Sequence, residues 1–524
     1  LIARVLRRVR DDEAGFAIVL AVALGVLIAI VAVALTALVQ SEDSRTRRDQ
    51  TQDGAYQAAE AGTNAYLSDL TESNAFYTAY MAKGEATRTD SGSVAHANNC
   101  TAVDSSGRST CSDVAWSSGS TWTYPTSKTT DTGWFSIGSG YQYLIQVYPP
   151  NQSLTGLAQT ITRIDVTGRP NGSANLTQWR TIETMIRPSS LADFQAFAAT
   201  DLSYGSGATT TGPVFVGENS SGTKANLSHA GTAKANLYAE GTVTVTGTLA
   251  NGAKKYDSTT TPTALCKLNN CTAVPFSNFS STFATVAGAA GNGGILLTST
   301  DTGNSALSGQ SPAYSVAAWK LVFQSNGTVL VSSCKLYVTT GSSPTTYQDY
   351  DGTTPPVCGN QVTKTVPTNG AIYSPVDVLV SGVVKGKVTV ATAGNVIWAG
   401  NTTYNTNGVD VLGIEATGTI YVAQWAPDSS HNLTIYAAEF ALNGPFEQDP
   451  NACSASGTLN FYGSTAIYGI NGSKVCGSSL SSAIVFSSFF AARNYNYDNN
   501  LLFVQPPYWP TLGNAFTILL QRQL

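Results

Sequence analysis

The stretch Asp11–Val22, DDEAGFAIVLAV, decides how the rest of the chain is read. Three acids stand before an Ala-Gly pair, and an apolar run opens at Phe16 and continues to Val39. Such a run fits a removed secretory signal, a permanent membrane anchor, or an export sequence cut at its front edge. Residues 16–39 carry no charge and one hydroxyl side chain, Thr36. At ~1.5 Å per residue they span roughly 36 Å as a helix, enough to cross a hydrocarbon core. A secretory signal has an apolar region of about 7–15 residues with its small-residue cleavage site behind it. Here the run is longer and Ala14-Gly15 stands in front. Arg4, Arg7, Arg8 and Arg10 favour an inside N-terminus. Arg45, Arg47 and Arg48 oppose that, interleaved with Glu42, Asp43 and Asp49. The residues alone describe a single-pass anchor with an outside domain.

The following segment, DSRTRRDQTQDGAYQAAEAGTNAYLSDL (43–70), has no proline and sets Tyr56, Ala59, Tyr66 and Leu70 near helical spacing. One helix is therefore expected from 16 to about Lys83-Gly84, apolar in its first half and amphipathic in its second. That is the form a helical filament subunit needs.

A basic leader, Gly15-Phe16, an unbroken apolar helix and AYQAAEAG (Ala55–Gly62) resemble the N-terminus of PilX-type minor pilins of type IV pili. The resemblance covers roughly the first 80 residues. It implies cutting between Gly15 and Phe16 by a cytoplasmic-side prepilin peptidase, methylation of the new amine, and packing of 16–39 among other pilins. Pilins usually carry glutamate at the fifth mature position, where this chain has Leu20. That carboxylate is thought to neutralise a neighbouring subunit's terminal amine, and a buried unpaired ammonium is costly. A subunit without it suits the tip or priming position; a membrane-retained, pilin-derived anchor is the alternative.

Only 12% of residues are charged, 48 are Gly, and the net charge is −5, so no global basic field invites nucleic acid. Short β-branched runs broken by Gly and Asn suit a mainly β ectodomain. The eight cysteines fall as neighbours: Cys100/Cys111, Cys266/Cys271, Cys334/Cys358 and Cys453/Cys476. Local disulfides are the simplest of the 105 connectivities, and point to an oxidising compartment. No Cys-x-x-Cys or Cys/His cluster suggests zinc, and His96, His229 and His431 are scattered.

The expected organisation is a leader (1–15), a long helix (16–84, with 16–39 as the transmembrane and filament-core part), and a pilin-like head (85–190). Within the head, 85–139 reads as a disulfide-clipped loop region. GYQYLIQVYPP (140–150), QTITRIDVTGRP (159–170) and TQWRTIETMIRP (177–188) alternate like strands of a small antiparallel sheet. A first β-solenoid segment (191–250), an inserted α/β segment (251–368), a β-solenoid (369–500) and a cap over its open end (501–524) follow. In the insertion, Phe276, Phe279, Phe283 and Val286 mark one helix stripe, and strands are expected near 320–331. The solenoid rests on apolar triplets at Val378-Leu379-Val380, Val396-Ile397-Trp398, Ile420-Tyr421-Val422, Phe440-Ala441-Leu442 and near Leu459. A second track joins Val388-Val390, Leu412-Ile414 and Leu433-Ile435. A β-sandwich with irregular strands is the alternative. DVLGIEATGTIYV and LTIYAAEFALNGPF look similar to the Gly-rich ectodomains of large PilX-like proteins.

A glycosidase would need two carboxylates on one cleft, and a lyase acidic calcium ligands with a basic proton acceptor. The acids Asp377, Asp410, Glu415, Asp428, Glu439, Glu447, Asp449 and Asp498 do not recur at rung spacing and read mostly as solvated turns. The bases Lys385, Lys387, Lys474 and Arg493 are few. DYDGTT (349–354) is similar to the start of a calcium loop but lacks the later ligands. The triplets at Asn175, Asn226 and Asn432 follow from composition. Trp425, Tyr508 and Trp509 suit sugar contact or core equally. The sum is a non-catalytic minor pilin without cofactor or metal. Expected partners are other pilins, prepilin peptidase, the membrane, and a surface glycan or a host or abiotic surface. The alternatives are a surface-binding protein on a pilin-like anchor and a carbohydrate-active β-helix. The expected location is the cytoplasmic membrane before assembly, then the extracellular pilus.

Overall fold

The computed structural model describes the backbone over 2–72, 87–89, 94–103, 109–116, 121–123, 134–138, 140–148, 161–218, 222–263, 279–301, 314–335, 355–449, 452–469, 474–476, 478–479 and 482–524. It is mostly β with a long N-terminal helix and forms two units. One comprises Leu1–Pro149, Thr162–Met185 and Leu520–Leu524; the other comprises Pro150–Ile161 and Ile186–Leu519.

In the first unit, α1 runs over Ile2–Glu72 as one helix. The expected end at 83–84 lies outside the described residues. Ala55, Ala58, Ala59, Thr63 and Tyr66 recur at helical spacing and are fully buried. They face a five-stranded sheet ordered Thr511–Gln523, Arg180–Ser190, Thr162–Pro170, Tyr141–Tyr148 and Trp134–Ser136. The three runs read as strands thus share one sheet. Tyr143 pairs antiparallel with Gly168, and Leu144 with Thr167. Alternation sends Tyr143 and Val166 toward Gly62 of the helix. Trp134, Leu144 and Trp179 form a second cluster, with the Arg169 guanidinium 3.7 Å from the Trp134 ring centre.

The loop region expected at 85–139 needs correction. Val94–Val103 and Ser109–Trp116 pair antiparallel, and Thr87–Thr89 pairs with Thr121–Thr123. Backbone hydrogen bonding carries a hairpin even where side chains are small and polar, so composition understated the strands.

In the second unit, parallel strands stack in register in three columns, without closing into a barrel. The first runs through Ile295, Ile372, Val390, Ile414, Glu439, Thr465, Ala196, Val214 and Leu237. The second runs through Thr402, Ile435, Phe461, Tyr495, Thr210, Ala233 and Leu249. The third has Trp319, Val378, Val396, Ile420, Phe446 and Ile484, then separately Leu202, Leu227 and Val243. Most of these residues point into one shared apolar core.

The two expected tracks resolve into three columns. Val378, Val396 and Ile420 do stack, but Phe440 belongs to the first column and Leu459 to the second. The order of stacking also differs from the expected one. The first arm (196–256) meets the second (295–497) not at residue 250 but where Ala196 pairs with Thr465 and Thr210 with Tyr495. The second arm begins at the far end of the stack.

The expected insertion is therefore partly stack. Ala318–Gln324 pairs parallel with Asp377–Val384, while Thr328–Lys335, Val357–Cys358 and Val362–Thr365 extend it antiparallel. Helix α2, Ser280–Gly291, lies along the outer flank of the first column. Phe279 and Phe283 each pack 5.8 Å from the Phe440 ring, and Asn369 Nδ2 donates to Ala289 O (2.8 Å) near the helix end. Twelve residues at ~1.5 Å each cover nearly four strand steps of ~4.8 Å. Phe276 lies outside the described residues.

The expected cap is overturned too. Pro506 and Trp509 lie against Gly413, and the Thr389 hydroxyl donates to Pro507 O, so 501–510 covers the column's flank rather than its end. Arg187 holds this segment, donating to Leu502 O (2.7 Å) while ion-paired with Asp193. Residues 511–523 form a strand of the five-stranded sheet. Proline-rich chain cannot continue a ladder, but it seals a flank well.

Candidate functional site

Gly15, Phe16 and Leu20 all lie within α1, with side chains outside the described set. Farther along, Val22, Leu24, Val26, Leu27, Ile28, Ile30, Val31, Val33 and Leu35 are described and all exposed, Val33 at 68%. They cover about two thirds of the helix circumference, the remaining arc carrying Gly25, Ala29, Ala32 and Thr36, so the exposed apolar surface is far wider than a single stripe. Among the described residues, no helix is long and apolar enough to cross a membrane. The side chains of 16–21, 23 and 37–39 are not part of that description.

AYQAAEAG has a structural role. A Cβ at Gly54 would fall 2.1 Å from the Tyr141 ring, and one at Gly62 2.5 Å from Tyr143. Small residues here let the sheet approach the helix backbone.

The junction of the two arms gathers polar side chains around an opening in the stack. The first and second columns cross it with strand pairing, but no strand pair is described across it in the third. There the arms meet through Ser203 N donating to Ser482 Oγ (2.9 Å) and Ala483 N donating to Asp201 O (3.0 Å). A cavity of about 250 Å³ opens at this point, lined among others by Ser203, Tyr204, Gly205, Ser487, Arg493 and Tyr495.

Arg493 is buried, and its Nη1 donates to Phe490 O (2.6 Å) and Ala491 O (3.5 Å). Tyr204 and Tyr495 meet edge to face at 5.3 Å, and the buried Tyr204 hydroxyl has no hydrogen-bond partner. Behind them His229 shares a hydrogen bond with Thr210 Oγ1 (3.1 Å), and burial lowers its pKa to about 4, leaving it neutral. Sequence reading missed this group because its members come from both arms. One signal was available: Arg493 sits at an inward position of the alternating ARNYNY.

The acids depart from the solvated-turn reading. Glu415, Glu439, Glu447 and Asp449 are buried, as are Asp377 and Asp410. Asp377 accepts from Asn395 N (2.7 Å) and Asp410 from Gly386 N (2.7 Å), so these two hold turns while shielded from water. Glu439 accepts from Trp398 Nε1 (2.7 Å) inside the core, and burial holds its pKa well above the usual range. Glu415 lies on the flank under α2, where burial pushes its pKa to about 8 and the Thr282 hydroxyl draws it back only in part. Glu447 rises to about 8 through burial and then the charge of Asp449. Glu415, Glu439 and Glu447 sit on strands rather than turns. None of them lines the cavity.

Cys334–Cys358 and Cys453–Cys476 are disulfides. Cys100 and Cys111 sit on the paired hairpin strands with side chains outside the described set, and Cys266, Cys271 and 349–354 lie outside the described residues. Among the described residues, no group of three or more His, Cys, Asp or Glu could hold a metal ion. Asn226 and Asn432 accept from backbone N–H of Thr242 and Thr458, and Asn175 caps a short helix. Trp509 is buried, Trp425 packs against the core, and Tyr508 is exposed.

No family model matches this chain, and no curated protein does. Among solved structures, the competence-associated pilin ComZ from Thermus thermophilus aligns over 90% of this chain and 97% of that one. The identity is 14% and the TM-score 0.28, an overlap too loose to carry an argument about fold or function.

Proposed function

We propose that this chain is a non-catalytic, PilX-like minor pilin that helps initiate or cap a type IV pilus and presents a β-solenoid ectodomain for surface adhesion. The observation that carries the reading is the helix whose residues 22–35 expose large apolar side chains over about two thirds of its circumference, followed by a half seated on a sheet. Such a surface is stable only against lipid or other apolar helices, and a pilin meets both in turn. The three in-register columns support the solenoid reading. Partners on this reading are prepilin peptidase, the membrane and other pilins.

The N-terminal mass of the mature protein, from its own cells or a host with the cognate peptidase, tests the proposal. A chain beginning at Phe16 with a methylated amine supports it; an uncut chain turns α1 into an ordinary anchor. Tip placement follows from Leu20, and labelled protein spread evenly along isolated pili would defeat it.

The second reading, a surface-binding protein on a pilin-like anchor, is favoured by the polar cavity between the arms. Pili intact but adhesion lost on deletion would select it. A carbohydrate-active enzyme has less support, since no carboxylate lines that cavity.

A further inference from the structure

We propose that the cavity between the two arms binds a small hydroxylated carboxylate of the uronic acid class, with Arg493 taking the carboxylate. The inference rests on the second unit alone and holds whether or not the chain enters a filament.

Three observations converge. Arg493 is 6% exposed and permanently charged, yet no acid lines the cavity around it. Its described hydrogen bonds use Nη1, whereas Nη2 lies at the rim, 3.2 Å from where a Cβ of Gly205 would stand and 3.1 Å from that of Gly207. A buried guanidinium without a counter-charge is costly, and an incoming anion removes that cost. The second observation is the Tyr204 hydroxyl, buried and unpartnered on the cavity wall. A ligand hydroxyl would satisfy it, with the exposed Ser203 and Ser487 offering further polar contacts, while the Ser482 hydroxyl is already held by Ser203 N and Ile484 O. The third is access: Ser203, Gly205 and Ser487 are exposed, so the cavity opens to solvent there.

The charge count selects the anion. The lining holds one cation and no second Arg or Lys, so it matches a monoanion better than phosphate or sulfate dianions. A guanidinium also fits a carboxylate geometrically. Ile484 and Phe486 supply apolar wall for a sugar ring. At about 250 Å³ the space is smaller than drug-sized pockets of about 300–1,000 Å³, which suits one sugar unit.

The test is a ligand-observed NMR titration of the full-length protein in detergent micelles with glucuronate, galacturonate, glucose and inorganic phosphate. The expected result is saturable binding of at least one uronate with Kd on the order of 1 mM. Glucose and phosphate should bind about tenfold more weakly or not at all, and Arg493→Gln should lose about tenfold. If Arg493→Gln fails to fold, Gly205→Val at the exposed rim carries the test, since its side chain would crowd Nη2. No saturation with either uronate by about 20 mM, equal binding of phosphate or glucose, or folded variants with unchanged affinity would overturn the proposal. The N-terminal mass is unaffected by any of these results, so the two readings fail separately.

Discussion

Gly168 lies directly against the helix backbone at Ala55: a Cβ on Gly168 would stand 1.9 Å from Ala55 O and 2.7 Å from Ala59 N. Both contacts are to backbone, which cannot rotate away. Gly168→Ala should therefore force helix and sheet apart and cost roughly 1–3 kcal/mol. Urea unfolding followed by far-UV circular dichroism would measure it; an unchanged midpoint would mean the helix is not seated as described.

Glu415 and Glu447 set a pH dependence. Both have folded-state pKa values of about 8 against an ordinary 4.5, chiefly through burial. Between those values the native state keeps protons that the unfolded chain releases. Their contribution is thus fully present below about pH 4.5 and is lost as pH rises to about 8, by at most about 1.4 kcal/mol per pH unit for each carboxyl. Glu415→Gln should flatten this slope. Unfolding midpoints at about pH 5, 7 and 9 with equal slopes in wild type and variant would contradict the burial of that carboxyl.

The pair Trp398–Glu439 separates polarity from packing. Glu439→Gln keeps an acceptor for the indole N–H, while Glu439→Leu leaves it buried and unpaired. The Leu variant should be less stable than the Gln variant by roughly 1–3 kcal/mol. Denaturant titration of both variants decides it. A Leu variant at least as stable would show that the indole finds another partner.

The disulfides Cys334–Cys358 and Cys453–Cys476 close loops of 24 and 23 residues in sequence separation. Replacing either pair with Ala should lower stability by roughly 2–4 kcal/mol. Thermal unfolding of the two double variants, compared with the reduced wild type, tests this.

Several features are legible in the residues because they are local. The apolar, proline-free N-terminal run specifies a helix without any partner. Alternation at Tyr141–Tyr148 and Thr162–Pro170 specifies strands, although both of their faces are buried rather than the one expected, and the triplets at Val378, Val396 and Ile420 repeat often enough to reveal stacking. Short cysteine spacing suggested neighbour pairing for the same reason. The acids misled because charge was taken for exposure, whereas Glu439 finds the Trp398 indole only after its strand is stacked.

What the sequence determined by itself is the kind of element at each place: a long helix, alternating strands and short parallel rungs. Which rung lies on which was decided only in three dimensions. Rungs are chemically alike, so a pattern near 20 residues cannot say that Ala196 pairs with Thr465 or Thr210 with Tyr495. That choice depends on long-range closure, on α2 and the 501–510 segment covering one flank, and on where three columns can be continued. The cavity around Arg493 is a consequence: two columns pair across the junction, no pairing is described in the third, and the polar residues from both arms are left facing one another.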